Sequence, residues 1–282
     1  MKKAIQIGYN DRFEYKCECA AKAGFRDISV NYTEVLGKSE SEWKRITEDI
    51  ARILDKNNLS CIQTHPHYYN LLISSEILEE DMEFAIRQSI ISGSALGAKY
   101  HAIHPRSAVN FAYGRKKSCE DNKRWMGGLL ECATKHGTAI AAENLPIFPA
   151  SNKIMPFYSA NVEDLCELVD DFADPNMVIC WDFGHAHLTA QDHAKAIEMT
   201  GNRIKCTHVH NNFGNSDRHS TVDNGNIEWD KVMTSLARTG YQGALTLETH
   251  CLYPTDEMLL AFAKYNYAGL VYLETLFSEA KG

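Results

Sequence analysis

Stretches with apolar residues at helical spacing alternate along the chain with short, continuous apolar runs. A glycine separates the two kinds of stretch at five places, namely Gly24, Gly97, Gly137, Gly201 and Gly240. Glycine closes a helix well because it adopts the left-handed conformation at low steric cost. The repeated unit of helix, glycine and strand therefore predicts alternating helices and parallel strands.

This pattern predicts eight strands and eight helices, the number found in a (β/α)8 TIM barrel. The strands are predicted at 4–8, 25–30, 59–64, 100–103, 138–142, 177–181, 204–207 and 244–247. The helices are predicted at 12–23, 43–54, 77–96, 116–135, 161–172, 187–200, 229–239 and 256–276. An open sheet that binds dinucleotides would show a glycine-rich loop after the first strand, and Gly8-Tyr9-Asn10-Asp11 is not such a loop. We therefore predict one TIM-barrel domain over residues 1–282.

Six of the predicted strands run into a residue of a metal-ligand type. These residues are His65, His104, Glu143, Asp182, His208 and Glu248, at steps of 39, 39, 39, 26 and 40 residues. One strand–helix–strand unit occupies about 30 residues or more, so the steps match successive strands. In a closed parallel barrel all these strand ends lie on one rim, where active sites form. A single polar residue at a strand end is ordinary, but six in register predict a shared site.

Glu143, Asp182, His208 and Glu248 form an oxygen-rich group, whose three carboxylates would repel one another without a cation. Such mixed ligands suit Zn²⁺, Mn²⁺, Mg²⁺ or Co²⁺, and the residue types do not distinguish among these ions. A divalent metal there could hold two adjacent oxygens of a hydroxy-ketone and stabilise an enediolate. Glu143 and Glu248 are then the candidate catalytic bases. One base would give isomerisation, and bases on two faces would give epimerisation.

A second set of ligand-type residues is interleaved with the first and leaves two interpretations open. It comprises His65, His104, His185, Asp217 and His219. In one interpretation the set binds one or two further metals, for one to three ions in all; in the other it binds substrate hydroxyls or orients the other ligands. The candidate substrate-binding residues are His65, His104, His185 and Arg218, and both Arg106 and Arg218 could hold a phosphate or carboxylate. The remaining nearby histidines, predicted to support ligands or to lie in loops, are His67, His187, His210 and His250.

Composition narrows the classes of partner. The chain has 282 residues and a formal net charge of −8, which disfavours broad contact with nucleic acid or anionic membranes. No apolar run approaches the roughly 20 residues of a membrane span. The cysteine count is odd, no Cys-x-x-Cys pair exists, and Cys61, Cys180 and Cys206 fall inside predicted strands. We therefore expect reduced thiols, a cytoplasmic protein and a small-molecule partner, and we leave a homo-oligomer open.

Taken together and in order, the motifs resemble those of the sugar phosphate isomerase/epimerase family of xylose-isomerase-like TIM barrels. They are Glu143-Asn144-Leu145, Asp182-Phe183-Gly184-His185, His208-Val209-His210-Asn211, Asp217-Arg218-His219 and Leu247-Glu248-Thr249. The resemblance covers essentially the whole chain. It implies that the oxygen-rich group binds one divalent metal and that its two glutamates move the proton. The implied substrates are sugars, sugar phosphates or related hydroxy-ketones.

The chain is also similar to the type IV apurinic-site endonucleases, which belong to the same superfamily. That resemblance implies a three-zinc site and phosphodiester hydrolysis, with the ligands His65, His104, Glu143, Asp182, His185, His208, Asp217, His219 and Glu248. Those enzymes begin with a Gly-Ala-His-Val-Ser type segment that approaches DNA, whereas this chain has Ile7-Gly8-Tyr9-Asn10-Asp11. We therefore favour the isomerase or epimerase hypothesis over the endonuclease. A barrel that binds a metal-chelating metabolite without catalysis is the third alternative.

Overall fold

Eight parallel strands form a nearly closed barrel surrounded by helices in the computed structural model, which describes residues 1–68, 76–107, 114–150, 153–189, 192–251 and 255–281. The barrel strands are β1 (Lys2–Gly8), β2 (Asp27–Asn31), β3 (Ser60–His65), β4 (Tyr100–Ile103), β5 (Ala139–Glu143), β8 (Met177–Asp182), β9 (Ile204–His208) and β10 (Ala244–Leu247). A separate antiparallel hairpin is made by β6 (Ile147–Ala150) and β7 (Lys153–Pro156). The eight predicted parallel strands are thus confirmed.

The strand order follows the chain, with β10 beside β1 and β9 beside β8 at the two ends of the series. These two end strands meet through a parallel bridge between Val209 and Leu247. Val209 N–H donates to the carbonyl of Thr246 at 2.7 Å, and Glu248 N–H donates to the carbonyl of Val209 at 3.1 Å. These contacts close the barrel immediately beside two of the predicted ligands, His208 and Glu248.

The helices pack outside the strands. They are α1 (Phe13–Ala23), α2 (Glu40–Asn57), α3 (Glu76–Ala95), α4 (Gly114–Lys135), α5 (Val162–Phe172), α6 (Phe183–His187), α7 (His193–Thr200), α8 (Trp229–Arg238) and α9 (Asp256–Glu279). A capping box starts α2, since Ser39 and Glu42 bond reciprocally there. Gly24 ends α1 with a φ of 112°, which is the left-handed conformation expected of it.

Two local predictions were wrong. The helix predicted at 187–200 begins only at His193, and a separate short helix, α6, ends at His187; an aspartate caps the start of each. Asp182 accepts from His185 N–H, so α6 begins directly at the end of β8, and Asp192 accepts from Lys195 N–H at the start of α7. The loop predicted after β5 contains the β6–β7 hairpin. Its prolines mask the strand pattern, since Pro149 interrupts an otherwise apolar run.

Small side chains fill the inside of the barrel below the rim. They form one buried cluster of Ala102, Ala139, Ala141, Val178, Cys180 and Cys206. Side chains alternate between the two faces of a strand, so Ala139, Ala141 and Glu143 share the inner face of β5. The outward side chains, such as Ile28 and Ile140, pack against the helices in the main core. The interior is therefore apolar at this level and becomes polar toward the rim, where Gln6, Gln63 and the ligand-type residues lie.

All nine cysteines are free thiols, as the sequence predicted, and Cys61, Cys180 and Cys206 lie in β3, β8 and β9. Within the described ranges, no helix combines the length and the apolar character needed to cross a bilayer.

Candidate metal centre

The six predicted strand-end residues lie at one rim of the barrel. His65, Glu143, Asp182 and His208 are the last residues of β3, β5, β8 and β9. His104 and Glu248 each follow a strand by one residue, after β4 and β10. Parallel strands of a closed barrel end on the same side, so the fold alone brings these six side chains together.

The oxygen-rich group converges closely. Its four residues each offer one ligand atom, and these atoms lie within 4.8 Å of one another. His208 is central: its Nδ1 lies 3.1 Å from Glu143 Oε1, 3.0 Å from Glu248 Oε2 and 3.8 Å from Asp182 Oδ2. Glu143, Asp182 and His208 have no exposed surface, and Glu248 is 8% exposed. Three carboxylates therefore share one buried space with a single imidazole.

Electrostatic coupling in this group is strong. Burial alone would raise the pKa of Glu143, but the imidazoles of His208 and His104 hold it well below its ordinary value. Glu248 behaves in the same way, with its pKa lowered mainly by His208 against the effect of burial. Burial would lower the pKa of His208, yet Glu143 and Glu248 raise it well above its ordinary value. The carboxylates thus favour positive charge at the centre of the group.

The donor set fits a divalent cation. Buried polar atoms are normally hydrogen-bonded, yet Glu143 Oε2 and Glu248 Oε2 are buried and have no hydrogen-bond partner. Gln6 holds the other oxygen of Glu248, with its amide N–H donating to Oε1 at 2.6 Å. Three carboxylates and one imidazole suit Mn²⁺, Mg²⁺, Co²⁺ or Zn²⁺. The residues that could hold such an ion are therefore those of the oxygen-rich group.

Two histidines extend the cluster on the other side of Glu143. The Nε2 atoms of His65 and His104 lie 3.2 Å apart, and they lie 3.6 Å and 3.3 Å from Glu143 Oε2. We call His65, His104 and Glu143 the paired-histidine group, which also meets the spacing for a metal site. Burial and the neighbouring His104 lower the pKa of His65 to about 4, so this ring is held neutral.

A nitrogen-rich group lies beside the oxygen-rich group. It consists of His185, His210, Asp217 and His219, and it again meets the 4.8 Å criterion for its ligand atoms. Asp217 Oδ2 lies 3.3 Å from His185 Nε2 and 3.2 Å from His219 Nε2. Burial would lower the pKa of His219, but Asp217 and Glu248 raise it to about 9.

Backbone carbonyls fix several of these imidazoles with one nitrogen facing the cluster. The Nδ1–H groups of His65, His185 and His219 donate to the carbonyls of Pro66, Asn144 and Glu248, at 2.9, 2.9 and 2.8 Å. Each Nε2 therefore points into the site. Metal-binding histidines typically donate their other ring N–H to a carbonyl or carboxylate, so this arrangement is the one expected of ligands.

Asn144 ties the end of β5 to the end of β8. Its side chain donates to the Asp182 carbonyl at 2.8 Å and accepts from the Asp182 N–H at 2.7 Å. Its carbonyl accepts from His185, as described above. A single residue next to Glu143 thus orients ligands of both the oxygen-rich and the nitrogen-rich groups.

Three residues that hold the site were not predicted as ligands, and two of them, Gln6 and Gln63, were not singled out at all. His210, predicted as a supporting or loop residue, belongs to the nitrogen-rich group. Its i, i+2 spacing from His208 places both on one face of an extended segment, but three other histidines have the same spacing from a predicted ligand. Gln63 lies 2.8 Å from His208 Nε2 and fixes that ring. Gln6 orients Glu248. A glutamine in a sequence does not indicate a metal site, so only the structure identifies Gln6 and Gln63 as residues that orient ligands.

Other predicted residues lie outside the ligand groups. Arg218 is exposed, and its Nε donates to Ser216 Oγ at 2.9 Å. The guanidinium of Arg106 stacks on Trp125, 4.1 Å from the ring centre, and so turns toward α4. Substrate binding by Arg218 stays a prediction, and a phosphate-binding role for Arg106 would require it to leave this stack. His250 stacks on His219 from outside the nitrogen-rich group, with ring centres 4.6 Å apart.

A cavity of about 730 Å³ opens beside Glu248. Its polar wall presents amides, a hydroxyl and a carboxylate from Gln6, Asn10, Asn31, Thr33 and Glu34. This volume is within the range of small-molecule pockets, about 300–1,000 Å³. A larger cavity of about 1030 Å³ lies at the opposite end of the barrel and contains none of the ligand groups.

Comparisons with solved structures support the fold. A D-tagatose 3-epimerase-like protein superposes with a TM-score of 0.75 at 19% identity, and D-psicose 3-epimerase in the presence of D-fructose superposes with a TM-score of 0.73 at 14% identity. Both matches cover 100% of each chain. At these identities the similarity establishes the fold alone.

Comparisons with known sequences establish the family. The uncharacterized protein MJ1311 of Methanocaldococcus jannaschii is 30% identical over 167 residues, which are 58% of this chain and 55% of that protein. The match thus spans about half the length of that relative. The family model for xylose isomerase-like TIM barrels matches residues 17–275. The chain therefore belongs to the xylose isomerase-like TIM barrel family.

Proposed function

We propose that this protein is a divalent-metal-dependent isomerase or epimerase of a small sugar, a sugar phosphate or a related hydroxy-ketone. The observation that carries the proposal is the placement of two glutamates around one histidine. Glu143 Oε1 and Glu248 Oε2 approach His208 Nδ1 at 3.1 and 3.0 Å, and Glu143 Oε2 faces His104 Nε2 at 3.3 Å. Two carboxylates that share one buried space can remove and return a proton within one site.

The oxygen-rich group would hold the metal. When bound, a divalent cation would polarise adjacent substrate oxygens and make the neighbouring C–H more acidic. The identity of the ion is open among Mn²⁺, Mg²⁺, Co²⁺ and Zn²⁺, because the donor set accepts each of them.

The chain's own residues divide the proton transfer between them. Glu248 is oriented by Gln6 through Oε1, and its Oε2, which lies 3.0 Å from His208 Nδ1, is the oxygen that would take the carbon-bound proton. Glu143 Oε2 lies beside the Nε2 atoms of His104 and His65, which can hold or exchange a proton with it. If both glutamates act, they address opposite faces of the carbon and the product is an epimer; if one acts alone, the product is an isomer.

The surroundings support a hydroxylated substrate. The cavity beside Glu248 is lined by amide and hydroxyl side chains that can bond sugar hydroxyls. The same fold occurs in D-psicose 3-epimerase and in a D-tagatose 3-epimerase-like protein. We therefore assign a small carbohydrate as the substrate class.

An exchange assay tests this proposal. Protein reconstituted separately with each of the four metals is incubated in D₂O with a panel of ketoses and ketose phosphates, and NMR measures deuterium next to the carbonyl. We expect exchange with at least one member. Glu248→Gln and Glu143→Gln should each lower its rate by at least about 100-fold, the typical contribution of a general acid or base.

Glu198→Gln is the matched control, since this carboxylate lies on the surface near Arg238 and should leave the rate unchanged. Full turnover by Glu248→Gln would contradict the role of that residue. A folded, metal-loaded protein that exchanges no proton of any panel member would contradict the proposed function.

Phosphodiester hydrolysis is a second candidate, and one specific observation favours it. The paired-histidine group shares Glu143 with the oxygen-rich group, and the nitrogen-rich group lies beside both. All nine residues matched to the endonuclease ligands therefore lie in one cluster. Cleavage of a duplex containing an abasic site, abolished by chelation and weakened steeply by salt, would support this candidate. An intact duplex after incubation with the metal-loaded protein at low salt would exclude it.

A further inference from the structure

The outer face of α9 carries an exposed stripe that follows a seven-residue repeat. Large side chains occupy every seventh position, and Met258, Tyr265 and Tyr272 are 45, 55 and 52% exposed. A small exposed residue lies three positions after each of them, and this alternation of steps of three and four keeps all six on one side of a helix. The six residues, which we call the α9 seam, are Met258, Ala261, Tyr265, Ala268, Tyr272 and Thr275.

The α9 seam is separate from the stripe by which α9 packs on its own barrel. The buried stripe follows the same alternation of steps and comprises Leu259, Ala263, Asn266, Leu270, Leu273 and Phe277. At 3.6 residues per turn, the middles of the two stripes lie about 150° apart around the helix. The fold of one chain therefore uses only the buried stripe, and the seam faces solvent. Exposed apolar residues that are grouped in this way mark interaction surfaces.

A groove of about 430 Å³ lies beside the middle of the α9 seam. Its lining includes Tyr265, Ala268, Gly269 and Tyr272, and Val222 lines it from the segment between β9 and α8. The four α9 residues stand at i, i+3, i+4 and i+7, which is the set that forms a hole for one side chain of a facing helix. Two tyrosines make the walls of this hole, and an alanine and a glycine leave space between them for a bulky group.

The order of large and small residues in the seam fits a second copy of the same helix that runs in the opposite direction. In a two-fold pair, residue i contacts residue j of the other copy, and j contacts i. With the two-fold axis in the middle of the seam, the facing residues are Tyr265 with Ala268, Ala261 with Tyr272, and Met258 with Thr275. Every layer then combines one large and one small side chain, as a well-packed interface requires. A parallel pair would instead oppose large residues to large ones and small residues to small ones.

Charge also favours the antiparallel pair. The α9 seam contains no charged residue, and the positions that flank it on one side at the same repeat are Glu257, Lys264, Val271 and Ser278. In the antiparallel pair Glu257 lies near Ser278 and Lys264 lies near Val271, so no like charges face each other. A parallel pair would place Lys264 beside its own copy.

The size of the surface predicts a reversible dimer. The 24 residues of α9 span about 36 Å, and a strip of that length about 10 Å wide covers roughly 400 Å². A standard interface covers about 800 Å² on each partner, so the seam with its groove lies at the small end of specific interfaces. We therefore expect an association that depends on protein concentration.

We propose that two copies of this protein associate through an antiparallel pair of α9 helices, with Tyr265 of each copy packed over Ala268 and Gly269 of the other. The hydroxyl of Tyr265 donates to Asp223 Oδ2 at 2.6 Å within its own chain. This bond orients the exposed ring in advance, so little conformational entropy is lost when the ring is buried. Tyrosine is also among the residues that contribute most to interfaces, because its ring buries a large area. The pair does not depend on the proposed sugar chemistry, since no seam residue belongs to a ligand group.

Sedimentation equilibrium of the full-length protein, from nanomolar to submillimolar concentration, tests the proposal. We expect the wild type to change from monomer to dimer within this range. Ala268→Glu buries one carboxylate per copy close to the two-fold axis, and it should raise the Kd of the dimer at least about 100-fold. Ala95→Glu is the matched control, because it makes the same change at an exposed alanine of α3 and should leave the Kd unchanged. Mixing Ala268→Glu with Ala268→Lys should restore a dimer that contains one copy of each.

Hydroxyl-radical labelling of the wild type gives a second readout that needs no variant. Met258 and Tyr272 should become protected as the dimer forms, whereas Tyr68, which is 44% exposed at the rim of the barrel, should be labelled equally in monomer and dimer. A wild type that stays monomeric would overturn the proposal, because the seam would then not bind a second copy. A dimer that forms as readily in folded Ala268→Glu, or one in which Met258 and Tyr272 keep their labelling, would also overturn it.

Discussion

The oxygen-rich and nitrogen-rich groups share one rim but are positioned in different ways. Glu143, Asp182 and His208 are the terminal residues of barrel strands, so closure of the barrel is sufficient to bring them together. Asp217 and His219 lie in the segment between β9 and α8, and His219 has a φ of 45°, which non-glycine residues seldom adopt. The position of the first group follows from the barrel itself, whereas the position of the second depends on local contacts that fix particular loop residues.

The same contrast appears in charge. Three carboxylates surround His208 in the oxygen-rich group, and they raise its pKa well above its ordinary value despite burial. In the nitrogen-rich group a single carboxylate, that of Asp217, contacts several imidazoles. Burial would raise the pKa of Asp217, but His185 and His219 lower it below its ordinary value. The first group is therefore short of positive charge, whereas the second has more imidazoles than carboxylates. A cation should stabilise the first group mainly by relieving repulsion and the second mainly by ligation.

The largest expected effect comes from adding metal to the stripped protein. A cation that binds only the folded state stabilises it by about 2.7 kcal/mol at one hundred times its Kd. For a chain of 282 residues that corresponds to a rise in Tm of roughly 5 °C. Calorimetry with Mn²⁺ and with Zn²⁺ measures this rise, and Glu248→Gln should reduce the gain from Mn²⁺ more than the gain from Zn²⁺. Equal reductions would show that the two groups do not differ in ion preference.

A smaller effect is expected from Gly184→Ala, which acts on the nitrogen-rich group. The added methyl would collide with the ring of His210, and overpacking of this kind costs about 1–3 kcal/mol. Urea unfolding measures the loss. Gly127→Ala is the control, because its nearest contact would be an ordinary 3.7 Å to Phe172 and alanine favours a helix. An unchanged free energy of unfolding in Gly184→Ala would show that His210 does not need this position.

The smallest effect concerns an imidazole on the outer face of β4. His101 contacts the hydroxyls of Thr64 and Thr138 at 2.6 and 3.0 Å, and burial lowers its pKa to about 3. The folded state therefore keeps this ring neutral, while the unfolded chain takes up a proton below about pH 6.5. Its stabilising contribution is complete above that pH and is lost as the pH falls toward 3, by at most about 1.4 kcal/mol per pH unit.

Urea unfolding of the wild type and of His101→Gln at pH 7, 6 and 5 checks this sign. The free energy of unfolding should fall less steeply with acid in the variant, because one titrating group is removed. Parallel slopes for the two proteins would show that His101 has an ordinary pKa in the folded state. The result would also weaken the contrast with His208 and His219, whose raised pKa values depend on neighbouring carboxylates.

The sequence predicted the barrel because the barrel depends on a repeated local pattern. Gly24 ends α1 and Ser39 caps α2 as their residue types require. The pattern did not predict helix starts where one polar side chain has two roles. Asp182 is both a candidate ligand and the N-cap of α6. The pattern was also insufficient for the β6–β7 hairpin, whose short strands include prolines and lie outside the main sheet.

Convergence of the oxygen-rich group could be predicted because strand ends of a parallel barrel meet at one rim. His210 could not be ranked above His67, His187 or His250 in the same way, since all four lie two residues from a predicted ligand. What distinguishes it is packing against Gly184 and a bond to Asp182, which are contacts between different elements. Such tertiary contacts leave no periodic signal in the sequence.

Anomalous diffraction from crystals soaked in Mn²⁺ tests the central claim most directly. Our account predicts a manganese peak about 2 Å from side-chain atoms of Glu143, Asp182, His208 and Glu248. Well-ordered density for these four side chains with no manganese peak among them would contradict it.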